Sequence, residues 1–513
     1  MATNKGLFEK YRDTYVLDRA TQYATWTLPA LMADLQQTSN GTRTVLQTDF
    51  QEIGALLTNN LSSKLARILF PTQYSFFKAD ASGELAEVMR EQAGDESNFR
   101  ATFSKLEREA NKNLFMNSGY SSLILMLKHL IVTGNAVIYR DSKRKTITVY
   151  GLQSFSIKRD GRGDVVDCII REYTLVSSLP ESIIKELKKK DLGRFNDPNS
   201  VVEVYTRIRR EYVKDEPTMA VTTEVGDISV GEEGRYPVEL CPYIFPTWSL
   251  IHGESYGRGL VGDFAGGFAK LSELSRSGAL YSVETLRVIN LVGPASGTDV
   301  DAIANAESGQ WVRGDPKEIS AYESGQANKL QIVGAQINEL IQRLSVAFMY
   351  TGGGAIRESE RTTATEVAML AQEAELTLGG VYSALSASTQ VPLAYLLMLE
   401  VSADALPGII SGELLPDVTV GIPALGRSGD VQNLLLAAQE IAGIAPIVQL
   451  DRRLNPAKIV DVILSGRSVD PASIMYTPEE QRANDEAAAA AQQAQAQLQQ
   501  ADVLANTTAL TGG

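Results

Sequence analysis

The chain has 513 residues, 44% hydrophobic and 21% charged, enough for three or four units of structure around ordinary apolar cores. A balance of 48 Lys and Arg against 62 Asp and Glu gives a formal net charge of −14, which excludes a protein whose whole surface grips nucleic acid. Two cysteines, Cys168 and Cys241, and two histidines, His129 and His252, exclude a disulfide framework and a zinc site built from His and Cys.

Taken in chain order, the N-terminus carries no apolar signal region, and Leu7, Phe8, Tyr11 and Tyr15 space one helical face. A capping box at Thr48-Asp49-Phe50-Gln51 opens a second helix, whose stripe is Ile53, Leu57, Leu61, Leu65, Ile68 and Leu69. Lys64 and Arg67 sit in its last turns, where cations suit the dipole, and Pro71 stops it. Helical pattern returns over 84–115 and 121–132, with His129 expected at a packed or half-exposed position of the latter. Residues 123–139 are the best membrane candidate in the chain, but Lys128, His129, Gly134 and Asn135 interrupt them, so a soluble protein of a reducing cytoplasm is expected.

From about residue 136 the period changes. Strands are predicted at 136–139, 146–150, 155–158 and 165–175, with a turn at 159–164. A short helix follows at 181–190, then strands at 201–213, 221–230 and 243–248; Arg207, Arg209 and Arg210 are expected to be a solvated face. His252 precedes Gly253 in turn-like sequence. Helix is predicted again over 260–286, then strand at 288–292, a weak helix at 299–307 and strand at 310–313.

Two long helices come next. Leu330, Val333, Ile337, Leu340, Leu344 and Phe348 mark the first, and Val367, Ala371, Ala374, Leu378, Val381 and Leu385 the second, which kinks at Gly379-Gly380 and runs to about residue 400. Between them lie Gly352, Gly353 and Gly354, followed by Arg357 and Arg361. This is either a plain surface connection or a loop whose arginines reach a polyanion, with Glu358 and Glu360 as competing partners for Arg361. A strand at 417–422 and helices at 431–441 and 456–464 precede a tail, 483–505, holding ten Ala and six Gln.

Residues 257–262 match G-x-G-x-x-G, so a nucleotide-dependent enzyme is the alternative reading, against a tight turn into a helix. No βαβ repetition surrounds the match, no G-x-x-x-x-G-K-[ST] sequence exists, and no carboxylate pair stands out. The expectation is a non-enzyme without cofactor or metal.

The blocks 59–71 (NNLSSKLARILFP), 132–139 (VTGNAVIY), 253–259 (GESYGRG), 378–386 (LGGVYSALS) and 390–397 (QVPLAYLL) resemble the portal proteins, or head-to-tail connectors, of short-tailed phages of the autographivirus-like podophage type. Their number and order carry the resemblance, over roughly residues 5–480. It implies an α+β, mainly helical fold assembled as a homo-dodecameric ring at one capsid vertex. By that resemblance residues 1–257 are wing, 258–286 and 326–350 stem helices, 287–325 clip, 351–362 a tunnel loop, 363–427 a returning wing helix and strand, and 428–513 a crown. Gly352, Gly353, Gly354, Arg357 and Arg361 would then face a channel through which double-stranded DNA is packaged and ejected. Implied partners are the major capsid protein, scaffolding protein, a transient terminase motor, a tail adaptor and internal core proteins, with no membrane. The implied location is the virion, and the host cytoplasm during assembly.

Overall fold

The computed structural model describes residues 3–35, 46–72, 75–82, 87, 96–190, 195–285, 288–292, 297–313, 317, 319–323, 327–350, 376–378, 380–402 and 405–418. The chain divides into two units, Met1–Ala86 with Phe103–Ala424, and Glu87–Thr102 with Leu425–Gly513; the sheets and the long helices from residue 103 onwards belong to the first. The expected helices at 431–441 and 456–464 and the Ala/Gln tail lie outside the described residues, as does most of the expected strand at 417–422.

The N-terminal segment is two helices, α1 (Asn4–Tyr11) and α2 (Thr14–Trp26), and not one continuous face through Tyr15. The Asp13 carboxylate accepts from the Val16 amide at 3.2 Å and starts a new helix there, leaving Tyr15 exposed. Helix α3 (Ile53–Leu69) has the expected stripe, with Leu57, Leu61 and Leu65 fully buried. Its start differs from the expected box. Gln51, not Thr48, supplies the cap: its Oε1 accepts from the Gly54 amide at 2.9 Å while its Nε2 donates to the Trp26 carbonyl at 2.6 Å. Gly54 lies so close under Trp26 that a Cβ there would stand 2.0 Å from that carbonyl oxygen, so contact with α2 decides where α3 begins.

Strand β1 (Lys78–Ala81) precedes α4 (Glu96–Phe115) and α5 (Gly119–Thr133). Helix α5 packs against α3, and Leu123, Leu127 and Leu130, one helical turn apart, are fully buried. Strands β2 (Val137–Asp141) and β3 (Thr146–Tyr150) then form a hairpin. A five-stranded antiparallel meander comes next: β4 (Phe155–Arg159), β5 (Val165–Leu175), β6 (Val201–Val213), β7 (Glu216–Val225) and β8 (Ile228–Pro237). The sequence predicts one strand over 221–230, but Gly226 takes φ +63 and the chain turns there into β8. Helix α6 (Glu181–Lys190) covers one sheet face through Leu187 with Val202, Val204, Val225 and Val230. Phe8 of α1 covers the other, against Ile169 and Tyr205. Strand β9 (Tyr243–Ile244) adds to β2, a shorter strand than the 243–248 expected.

Helix is broken at Phe264 into α7 (Leu260–Asp263) and α8 (Ala265–Thr285). Strand β10 (Val288–Val292), the one-turn α9 (Val300–Ala304) and β11 (Ile319–Glu323) succeed them. The partner of β10 is β11, and the expected strand at 310–313 is not one: Gln310, Trp311 and Arg313 are exposed, Val312 is half-buried, and none is paired in a ladder. Then come α10 (Ala327–Ala347), α11 (Val381–Leu385), a π-helical turn at Ser386–Gln390, α12 (Val391–Val401), α13 (Leu406–Ser411) and β12 (Leu414–Asp417), which pairs with β1. At the expected kink Gly380 is left-handed at φ +81 and precedes α11, while residues 363–375 of the expected second long helix lie outside the described residues.

Two buried polar groups set the stability of this frame. Arg140 on β2 is 1% exposed and forms a two-pronged pair with Glu400 on α12, 4% exposed, with both bonds at 2.8 Å; its Nη2 also donates to the Asn113 carbonyl. Removing one partner strands a buried charge, so Glu400→Leu is expected to destabilise by about 3–5 kcal/mol, and Arg140→Met in the same chain to recover most of it. Urea denaturation of the single and double variants measures this.

His129, on α5, is buried against Gly151, where a Cβ would stand 2.4 Å from its Cε1. Burial disfavours the imidazolium and lowers its pKa to about 4. The folded state therefore holds the base neutral while the unfolded chain protonates near pH 6.5. Stability is full above that pH and falls as pH drops to 4, by about 3 kcal/mol. His129→Leu is expected to flatten the loss over this window in denaturation midpoints measured from pH 7.5 to 4.

Candidate functional site

The candidate channel residues Gly352, Gly353, Gly354, Arg357 and Arg361 lie outside the described residues. The structure instead defines the frame on either side of them. Helices α8 and α10 pack together, and Gly267 faces Leu344 while Gly278 faces Val333, so the two run antiparallel. The β10–β11 ladder joins one end of this pair. At the other end, Trp26 of α2 stacks on Phe268 of α8 at 6.4 Å between centroids, and Phe268 meets Phe348 edge-on at 5.7 Å. Phe264 also contacts Phe348, so aromatic rings from α2, from the start of α8 and from the residue after α10 anchor the end that leads towards residue 351.

Helix α10 closes in a Schellman arrangement. The Met349 amide donates to Val346 O and the Tyr350 amide to Ser345 O, with Met349 left-handed at φ +54. The Met349 carbonyl accepts from Lys64 Nζ at 2.5 Å and from Asn60 Nδ2 at 3.3 Å, both on α3. On the far side, Gln390 of the π turn donates through Nε2 to the Leu69 carbonyl, again on α3. One helix thus holds the chain just before residue 351 and again at Gln390. The sequence offers Lys64 only as a dipole-matching cation of α3; nothing in its spacing points to a carbonyl 285 residues away.

The G-x-G-x-x-G stretch is packing, not a phosphate cradle. A Cβ on Gly259 would stand 2.7 Å from Ile131 O and 2.8 Å from both Gly134 N and Val132 O; one on Gly257 would stand 2.8 Å from Gly134 O. The glycines are spent on approaching the end of α5, which leaves their backbone no open face for a pyrophosphate. A cavity of about 660 Å³ beside the turn is lined by Tyr11, Tyr23, Tyr256, Arg19, Lys158 and Asp263.

The other candidate groups are likewise engaged. Arg207 holds Asp167 through two bonds, Arg209 pairs with Glu211, and Arg210 with Asp160 and Asp164, so this cluster is internally neutralised and not a free anion site. Burial pushes the Cys241 thiol up to about 12 and that of Cys168 higher still, which makes both unreactive. Among the described residues no group of three His, Cys, Asp or Glu could hold a metal ion. One helix among the described residues, Val381–Val401, has the length and apolarity to cross a membrane, but half of that window is buried within the protein.

A family model described as bacteriophage head to tail connecting protein matches residues 4–475. The portal protein of Pseudomonas phage phiKMV is 40% identical over 505 residues, 98% of each chain. That of Escherichia phage T7 is 30% identical over 478 residues, covering 90% of this chain and 86% of its own. Among solved structures, the neck of an empty gene transfer agent particle has a TM-score of 0.36 at 12% identity, covering 76% of this chain and 86% of that one.

Gly259→Ala separates packing from ligand cradling. Packing predicts a loss above about 3 kcal/mol and poor yield of folded protein, because three backbone atoms must move. A phosphate-cradling glycine would leave the fold intact and lose only ligand. Melting temperatures of the variant, and of the parent with and without millimolar NAD or ATP, give the result; no nucleotide shift is expected.

Proposed function

The chain belongs to the bacteriophage head-to-tail connecting family, the portal proteins of T7-like podophages, and on that footing we propose how its parts serve the channel. As a portal protein it is a structural component of the head–tail junction, where DNA passes the capsid vertex. Twelve copies close a ring, with the described sheets and N-terminal helices as wing, α8 and α10 as stem, residues 287–325 as clip and 351–362 as the loop facing the channel. Residues 363–427 return to the wing, and 428–513 form the crown. Capsid and scaffolding proteins, a transient terminase motor, a tail adaptor and internal core proteins are the partners, met first in the host cytoplasm.

The observation that carries the ring is the outer surface of the α8–α10 pair. Leu280 and Val283 on α8 and Ile332 and Val346 on α10 are exposed in the single chain, and Trp311, between β10 and β11, is fully exposed. Apolar side chains this open on two long helices support burial against a neighbouring copy.

Charge bears on how DNA moves through such a ring. A net charge of −14 per copy multiplies around it, and a mostly acidic wall repels DNA so that it slides. Arg357 is the candidate brake: its guanidinium keeps its charge and grips a phosphate with two bonds, while salt keeps each contact weak. Arg361 serves second, since Glu358 and Glu360 adjoin it in sequence.

Arg357→Glu tests this reading. Rings far heavier than the 55.7 kDa chain are expected on negative-stain grids for both parent and variant, with packaged or retained genome reduced about tenfold or more in the variant. A monodisperse monomer would sink the ring, and unchanged packaging and retention would sink the role of Arg357.

A further inference from the structure

Helix α3 reaches the end of α10 at Met349. That residue is not glycine, yet it occupies the left-handed position of a Schellman cap, where residues with a Cβ are disfavoured. It is 2% exposed, so solvent cannot reach its carbonyl freely. That carbonyl lies just beyond the negative end of a 21-residue helix. An ammonium is brought to it from another helix: Lys64 Nζ at 2.5 Å, with Asn60 Nδ2 at 3.3 Å one turn earlier on α3. Among the described residues Lys64 has no carboxylate partner, so its charge is committed to this carbonyl.

We propose that Lys64 is a positioning residue: from α3 it caps the C-terminus of α10, holds Met349 left-handed, and so fixes the direction in which the chain enters residues 351–362. The physical reasons are three. A cation at a helix C-terminus is stabilising, and more so where water is partly excluded. A left-handed non-glycine residue persists only when its surroundings over-determine it, and the two α3 donors are the groups that do so. Helix α3 is itself immobilised, since Leu57, Leu61 and Leu65 are fully buried, so the donors project from a rigid element. The same helix accepts Gln390 on its last carbonyl, at Leu69, so the segment between Tyr350 and the π turn is referenced to one rigid body at both ends.

The importance of this cap for DNA rests on reading residues 351–362 as the channel loop, and the experiment separates the two. Full-length Lys64→Met, Lys64→Arg and Lys64→Met/Met349→Gly proteins are assembled and digested briefly with trypsin. Cleavage at Arg357 and Arg361 is scored against cleavage at Arg162, an exposed turn residue remote in sequence from the contact. A general loss of stability moves all sites together, whereas loss of the cap moves the ratio.

Lys64→Met is expected to change the ratio by about fivefold, Lys64→Arg to keep it within about twofold of the parent, and adding Met349→Gly to return it towards the parent value, because glycine enters the left-handed region unaided. An unchanged ratio in folded Lys64→Met, or no return with Met349→Gly, overturns the proposal. Should Lys64→Met fail to fold, Asn60→Ala, which removes only the weaker donor, is expected to give a smaller change of the same sign, and no change overturns the proposal. Packaging by the same variants reports on the loop: a changed ratio with parental packaging and retention leaves the positioning role standing and overturns the channel reading of 351–362.

Discussion

Everything in the larger unit turns on a crossing at which two backbones meet with no side chain between them. Gly134 ends α5 at φ +78, and a Cβ there would stand 2.4 Å from the Arg258 carbonyl carbon and 2.5 Å from Gly259 N. Beside it Asn135 behaves as a spare peptide group: its Nδ2 donates to Gly257 O and its Oδ1 accepts from Gly257 N, both at 2.7 Å and both buried. The Gly134 carbonyl accepts from Trp248 N. The end of α5, the start of β2 and the entry to α7 and α8 are therefore tied at one point. Moving any of them moves the sheets relative to the long helices.

That crossing gives a structural role to sequence blocks that hold no catalytic chemistry. VTGNAVIY and GESYGRG are the two halves of this contact, with Asn135 and Gly257 lying 122 residues apart in the chain. NNLSSKLARILFP and QVPLAYLL are the halves of a second, where Gln390 donates to Leu69 O. Positions where backbones touch admit only glycine, and positions that imitate a peptide bond admit little besides Asn or Gln. The chemistry specified by these residues is shape.

The ionic wiring serves the same end. Arg140 and Glu400, almost wholly buried, join β2 to α12 across 260 residues, while the arginines of β6 are neutralised within the sheet and its turns. Among the described residues this arrangement calls for no reactive group: the thiols are driven out of their reactive range and His129 is held neutral by burial. A protein whose task is to hold a geometry around moving DNA needs charges that are spent, apart from those that touch the DNA.

Local patterns in the sequence determined much of this by themselves. The stripe of α3, the breaks at Pro71 and Gly380, the turn at 159–164 and the long helix α10 all follow from side-chain period and backbone permissiveness, which act within a few residues. The glycine-rich turn at 257–262 was legible as a turn but not as one side of a backbone crossing. The tertiary structure alone decided where α3 starts, because Gly54 had to slip under Trp26; which strand meets β10, because an open ladder selects its partner by register; and what Lys64 does. A lysine near the end of a helix looks solvated in any local window. Its carbonyl partner lies 285 residues away, and a contact that long-range is set by how the helices pack, which no spacing in the chain encodes.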